Sequence, residues 1–179
     1  MPFSSQGFSF QKRRLFWFAA WGIILWQGCT VKFVADYNAE VAKQIIEVSK
    51  QVDSFYGYLL ETAYLNRSYE AFKDEYIEIE VNIRALVVLN KARPLNDESI
   101  AIAETILDKW IKYKEMHKTN WDKFQNPVDE SETMDAKDIY KDTLAKNHRK
   151  RFTRLFTAMS VAEEAKKLNS EPDINEGDE

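Results

Sequence analysis

The sequence predicts an all-α chain whose main body is an antiparallel up-down four-helix bundle. Two observations carry that expectation. Beyond residue 29, glycine occurs only at Gly57 and Gly177 and proline only at Pro94, Pro127 and Pro172, so few positions interrupt a helix. Across the same stretch apolar residues recur at spacings of three and four, the period of a helix that buries one face. Strand-like alternation is confined to Tyr76–Val81, too short to prevail over its surroundings.

The elements follow in order. Lys12, Arg13 and Arg14 form a cationic block, and Leu15 to Trp26 is a nearly unbroken apolar run. At ~1.5 Å per residue that run reaches roughly 20 Å as a helix, short of the ~30 Å hydrocarbon core of a bilayer. A basic flank, a short apolar run and small residues at its end read as a secretory signal peptide over residues 1–28. The competing reading is an uncleaved anchor helix reaching Val34, with Lys32 snorkelling to the interface.

Leu25-Trp26-Gln27-Gly28-Cys29 resembles the lipobox of bacterial lipoproteins, although Trp26 and Gln27 stand where a leucine and a small residue are more usual. The resemblance covers this stretch alone. It implies that Cys29 is acylated, that residues 1–28 are removed, and that 29–32 form a lipidated link to the folded domain. The implied location is the bacterial cell envelope, anchored to membrane and facing the periplasm. Cys29 is the only cysteine, so packing, not a disulfide framework, has to stabilise the fold.

Residues 1–28 hold three of the 25 basic residues and none of the 29 acidic ones, so the remainder carries a net charge of −7. An acidic domain argues against nucleic acid as a partner, since phosphate binding needs concentrated positive charge. It also argues against adhesion to anionic lipid by charge alone.

The first helix is expected over about Phe33–Tyr64, with Val34, Tyr37, Val41, Ile45, Val48, Val52, Phe55 and Leu59 on one stripe. Asn66 or Ser68 can cap the second, about Tyr69–Ala92, whose Tyr69, Phe72, Tyr76, Ile79, Ile83 and Leu86 share a face widened by Val87 and Val88. Pro94 ends it. Asn96 serves as the next N-cap, with Asp97 and Glu98 at the positive end of the helix dipole. Ile100, Ala103, Ile106, Trp110, Tyr113 and His117 then share a face to about Thr119. A looser segment, Asn120–Ser131, precedes a last helix from about Glu132 to Leu168, on which Leu144, His148, Phe152, Leu155, Met159 and Ala162 are expected inside. The bundle thus occupies 33–168, and the acidic stretch 169–179 reads as a disordered tail.

Short links make consecutive helices neighbours; a three-helix arrangement with the first two fused is the competitor. In the up-down order, the Pro94 turn lies at the end where the chain arrives, and the Asn66 turn and the Asn120–Ser131 segment lie at the far end.

Chemistry is sparse. His117 and His148 should sit well over ~15 Å apart at ~1.5 Å per residue, too far to share a metal. Lys114 and Ala145 occupy the positions three before them, so the Glu-x-x-His pairs of di-metal bundles are missing. No glycine-rich phosphate loop or Ser-His-Asp set is present, so the expectation is no enzyme, no cofactor and no metal. Candidate partner contacts are Trp121 and Phe124, aromatics in a polar loop, and the basic patch of Lys146, Arg149, Lys150, Arg151 and Arg154. An acidic patch of Asp74, Glu75, Glu78 and Glu80 is its counterpart. The composite expectation is a membrane-tethered bundle that acts by protein contact, in an accessory, inhibitory or immunity-like role. The alternative is a sensory or small-ligand-binding bundle in which Trp110, Tyr113, Tyr76 and Phe152 line a cavity.

Overall fold

Four long helices build the domain: α1 (Ala39–Glu61), α2 (Tyr69–Lys91), α3 (Asp97–Gln125) and α5 (Asp142–Ala165). A single turn, α4 (Ala136–Ile139), precedes the last of them, and 3-10 turns cover Tyr64–Asn66 and Lys166–Asn169. This computed structural model describes residues 34–127 and 133–169. The leader, Cys29 with its link, and residues 170–179 lie outside the described residues, and with them the expected cleavage, acylation and tail.

The expected helical bundle is present. α1 packs against α2 and α5, and α3 packs against the same two, so the long helices form a ring in which consecutive ones touch. At one end the bundle gathers the start of α1, the end of α2, the start of α3 and the end of α5. There Ala35 N–H donates to Leu95 O at 3.0 Å, Asn38 N–H to Glu163 Oε1 at 2.9 Å, and Lys166 Nζ to Asn96 Oδ1 at 2.6 Å. The opposite end gathers the complementary termini around Arg67, described below.

The core is aromatic. Phe55, Tyr56, Phe72, Tyr76, Trp110 and Phe152 are each at most 5% exposed and meet edge-on or tilted, except that Tyr56 stacks on Phe152 at 5.8 Å, geometries that suit ring quadrupoles. The Trp110 indole N–H donates to Tyr76 O at 3.0 Å, so its burial strands no donor. The rings named for the cavity of the alternative reading therefore press against one another: Tyr76 lies 5.3 Å and Phe152 5.7 Å from Trp110, and Tyr113 lies 5.8 Å from Phe152.

Several boundaries differ from expectation. α1 begins at Ala39, not Phe33, because the Asn38 side chain accepts from the N–H groups of Glu40 and Val41 and fixes the cap there. Val34 is consequently exposed. Ser68, not Asn66, caps α2 by accepting from Ala71 N–H at 3.1 Å. Val88 points to solvent at 65% exposure. Asn96 stands at the N-cap of α3 without capping it; its amide donates to Asn90 and its carbonyl oxygen accepts from Lys166.

The last helix is the largest departure. It starts at Asp142 instead of Glu132 because Tyr140 is extended (φ −151°, ψ 98°) and its carbonyl accepts from Arg67 Nη1 at 2.9 Å. A carbonyl diverted in this way is lost to helix continuation. The buried face of α5 is also turned relative to the expected stripe: Ala145, His148, Phe152, Phe156, Met159 and Glu163 are inside, while Leu144, Leu155 and Ala162 are half-buried.

Candidate functional site

Two aromatic residues expected at a loop tip lie elsewhere. α3 runs on to Gln125, so Trp121 and Phe124 sit in its last turns. Tyr113, His117, Trp121 and Phe124 continue the helical spacing of four, four and three, which was the signal for the longer helix. Both side chains are half-buried, with their rings stacked 5.6 Å apart, and Trp121 packs on the core. Its indole N–H is buried without an acceptor among the described residues. Both residues thus stand on a helix and not in a loop. Trp121→Ala is expected to lower stability by about 2 kcal/mol, read as a lower Tm in thermal melts; an unchanged Tm would return Trp121 to the list of partner contacts.

The two histidines are the second correction. His148 is only six residues after the start of α5, and both imidazoles meet Tyr140, His117 at 4.9 Å and His148 at 5.9 Å between ring centroids. The expected wide separation does not hold. His117 Nε2 lies 2.9 Å from Arg67 O and its Nδ1 3.1 Å from the Tyr76 hydroxyl. The carbonyl can only accept, so Nε2 carries the proton and Nδ1 accepts from Tyr76. His148 Nδ1 is 2.8 Å from the Tyr140 hydroxyl, and its ring lies flat on Tyr113 at 3.4 Å. Burial depresses both imidazoles to about 4, and burial pushes the Tyr56, Tyr76 and Tyr140 hydroxyls up. At neutral pH the cluster is therefore uncharged. Among the described residues no group of three or more histidine, cysteine or acidic side chains gathers as a metal-ligand set.

Arg67 organises the far end. It is 3% exposed, yet four of its N–H bonds find acceptors. Nε donates to Thr62 O at 2.8 Å, Nη2 to Leu60 O at 3.0 Å, and Nη1 to Tyr140 O at 2.9 Å and Asp142 Oδ1 at 2.6 Å. In the sequence Asn66-Arg67-Ser68 has the composition of an ordinary turn and carries no signal for a buried charge.

The opposite end has its own buried ionic knot. Glu163, 1% exposed, accepts from Arg93 Nη1 and Nη2 at 2.9 and 2.8 Å and from Lys166 Nζ at 2.6 Å. Burial works to raise its carboxyl, but these hydrogen bonds prevail and hold it below the usual range. Arg93 also donates to Asp36 O, so the segment leading into α1 is fastened to the ends of α2 and α5.

The basic patch divides. Arg151 donates to the Tyr113 hydroxyl at 2.6 Å. Arg149 lies beside Gly57 and pairs bidentately with Asp53, both contacts at 2.6 Å; its hydrogen bonds hold the Asp53 carboxyl below the usual carboxylate range. A Cβ at residue 57 would meet that guanidinium at ordinary contact distance, 3.9 Å, so the glycine is not required for the approach. Lys146, Arg149, Lys150, Thr153 and Arg154 line, with Leu60, an open groove of about 550 Å³. Among the described residues Lys146, Lys150 and Arg154 form no ion pair.

The structure thus joins Arg149, Lys150 and Arg154 in one groove, turns Arg151 to a different partner, and places Trp121 and Phe124 in the last turns of α3. No helix among the described residues is long and apolar enough to cross a membrane. Neither a family model, nor a curated protein, nor a solved structure matches the chain.

Proposed function

We infer that this is a lipid-anchored envelope lipoprotein whose helical bundle acts by protein contact, docking an acidic segment of a partner in the groove beside α5. Tethering rests on the lipobox-like Leu25–Cys29 and on the apolar run before it. The single observation that supports docking is the groove itself: Lys146, Lys150 and Arg154, which form no ion pair among the described residues, converge beside Leu60 on an acidic chain. Charges held this way raise the rate of encounter with an oppositely charged partner and make binding sensitive to salt. The groove runs from Leu60, near the end of α1, along Lys146–Arg154 of α5.

Affinity capture from membranes with the acylated protein, beside Lys150→Glu/Arg154→Glu and Cys29→Ser versions, tests this reading. A partner held by the parent protein, released by salt and lost with the double charge reversal at unchanged Tm is the expected result. An identical captured set for the charge-reversed protein counts against the groove. The contact among Trp110, Tyr113, Tyr76 and Phe152 favours protein docking over a ligand cavity at those rings.

A further inference from the structure

A second groove lies on the other flank of α1, against α2. Its floor is apolar: Phe55, Phe72 and Ile79 are 5%, 1% and 5% exposed. Tyr58 stands over that floor with its ring tilted on Phe72 at 5.7 Å, and it is 65% exposed. Asn82 Nδ2 donates to Gln51 Oε1 at 2.9 Å and braces α2 against α1 beside the opening. The open volume is about 350 Å³, at the small end of ligand pockets and room for one or two side chains. Glu75 and Glu78, one helical turn apart, also line it.

Those two carboxylates differ from their neighbours on the same helix. Glu70 meets Lys73 at 3.8 Å, and Glu80 meets Arg84 at 2.7 Å and Lys114 at 2.6 Å. Among the described residues neither Glu75 nor Glu78 has a cation within ion-pair distance. The groove therefore joins an apolar floor, an aromatic wall and two uncompensated negative charges.

We propose that this groove docks a basic amphipathic segment of a partner protein, with an aliphatic or aromatic side chain on the Phe55–Phe72–Ile79 floor and lysine or arginine on Glu75 and Glu78. Apolar anchoring beside charge pairing is how helical segments commonly bind grooves. The same carboxylates repel anionic lipid headgroups and acidic peptides. A second copy is disfavoured by the net charge of −7 on residues 29–179. The site is independent of the α5 groove, which lies on the other side of α1 and has the opposite charge.

The test uses the full chain in neutral-detergent micelles and two short fluorescent amphipathic peptides, one of leucine and lysine, the other of leucine and glutamate. The lysine peptide is expected to bind, and Glu75→Gln/Glu78→Gln to weaken it about tenfold and flatten its salt dependence. Ser54→Trp, which puts a ring into the opening from an exposed position, is expected to abolish binding without changing Tm. Lys118→Glu, the reversal of an exposed charge on α3 outside both grooves, is expected to leave the affinity unchanged. Parental affinity of the lysine peptide in both groove variants, or no binding of it to the parent protein, overturns the proposal. Sedimentation showing a dimer that the same two variants dissolve also overturns it, in favour of a second copy as the occupant.

Discussion

Arg67→Ala is expected to lower the stability of the domain by about 4 kcal/mol, near the cost of breaking a buried, hydrogen-bonded charge network. For a domain of this size that is a fall in Tm of roughly 10 °C. The reason is geometric. One guanidinium takes the carbonyls of Leu60, Thr62 and Tyr140 and a carboxylate oxygen of Asp142, tying the end of α1 to the turn ahead of α5. The Arg67 carbonyl meanwhile accepts from His117 on α3. Truncation strands three carbonyls that the surrounding backbone cannot satisfy. Arg67→Lys should recover less than half the loss, because an ammonium cannot span acceptors arranged around a planar fork. Thermal melts of the two variants decide it: a loss under about 1 kcal/mol for alanine would mean that water replaces the fork at little cost.

The second large effect is acid sensitivity. His117 is held neutral, with its proton uptake moved down to about 4 by burial against Tyr69, Phe72, Tyr76 and Tyr140. In the unfolded chain a histidine takes up its proton near 6.5. Between those values the unfolded chain binds more protons than the folded one, so stability is complete above about pH 6.5 and declines as pH falls toward 4. For His117 the difference corresponds to about 3 kcal/mol over the whole window. His148 acts in the same direction, with burial as the larger cause and the nearby Arg151 charge as the lesser. Carboxylates such as Glu163, whose pKa is lowered in the fold, lose their contribution only as pH falls below about 4.5. The range from 6.5 to 5 therefore isolates the imidazoles. Denaturant melts across that range should show stability falling steadily with pH, and His117→Gln should remove roughly half the slope. A flat profile would show that the imidazoles are solvated.

Much of the fold is legible in the residues themselves. The stripe Val41–Ile45–Val48–Val52–Phe55–Leu59 is buried along α1, and Tyr69, Phe72, Tyr76, Ile79, Ile83 and Leu86 are buried along α2. Periodicity succeeds there because one face of each helix has a single neighbourhood to fill. It fails where tertiary hydrogen bonds compete with helix continuation. Tyr140 breaks what reads as one long helix because Arg67, far away in sequence, takes its carbonyl. Asn96 has the chemistry of a cap, but Lys166 and Asn90 recruit its side chain.

The candidate site was legible in part. The run Lys146–Arg154 announces positive charge, but only packing shows that Arg149 meets Asp53 on α1 and Arg151 meets Tyr113 on α3. Lys146, Lys150 and Arg154 are left to the groove. Likewise the acidic patch on α2 splits into Glu80, which braces α3 through Lys114, and the Glu75–Glu78 pair over an apolar floor. Charge in a sequence gives the sign of a surface; the partners that remove a charge from that surface come from other helices.

Everything proposed about location turns on Cys29, and intact-mass measurement of the membrane-bound form tests it directly. A chain that begins at Cys29, spans residues 29–179 and carries the added mass of acyl groups is the expected species, with no such species from Cys29→Ser. A membrane form that retains Met1–Gly28 would contradict lipid tethering and make the Leu15–Trp26 run an uncleaved anchor.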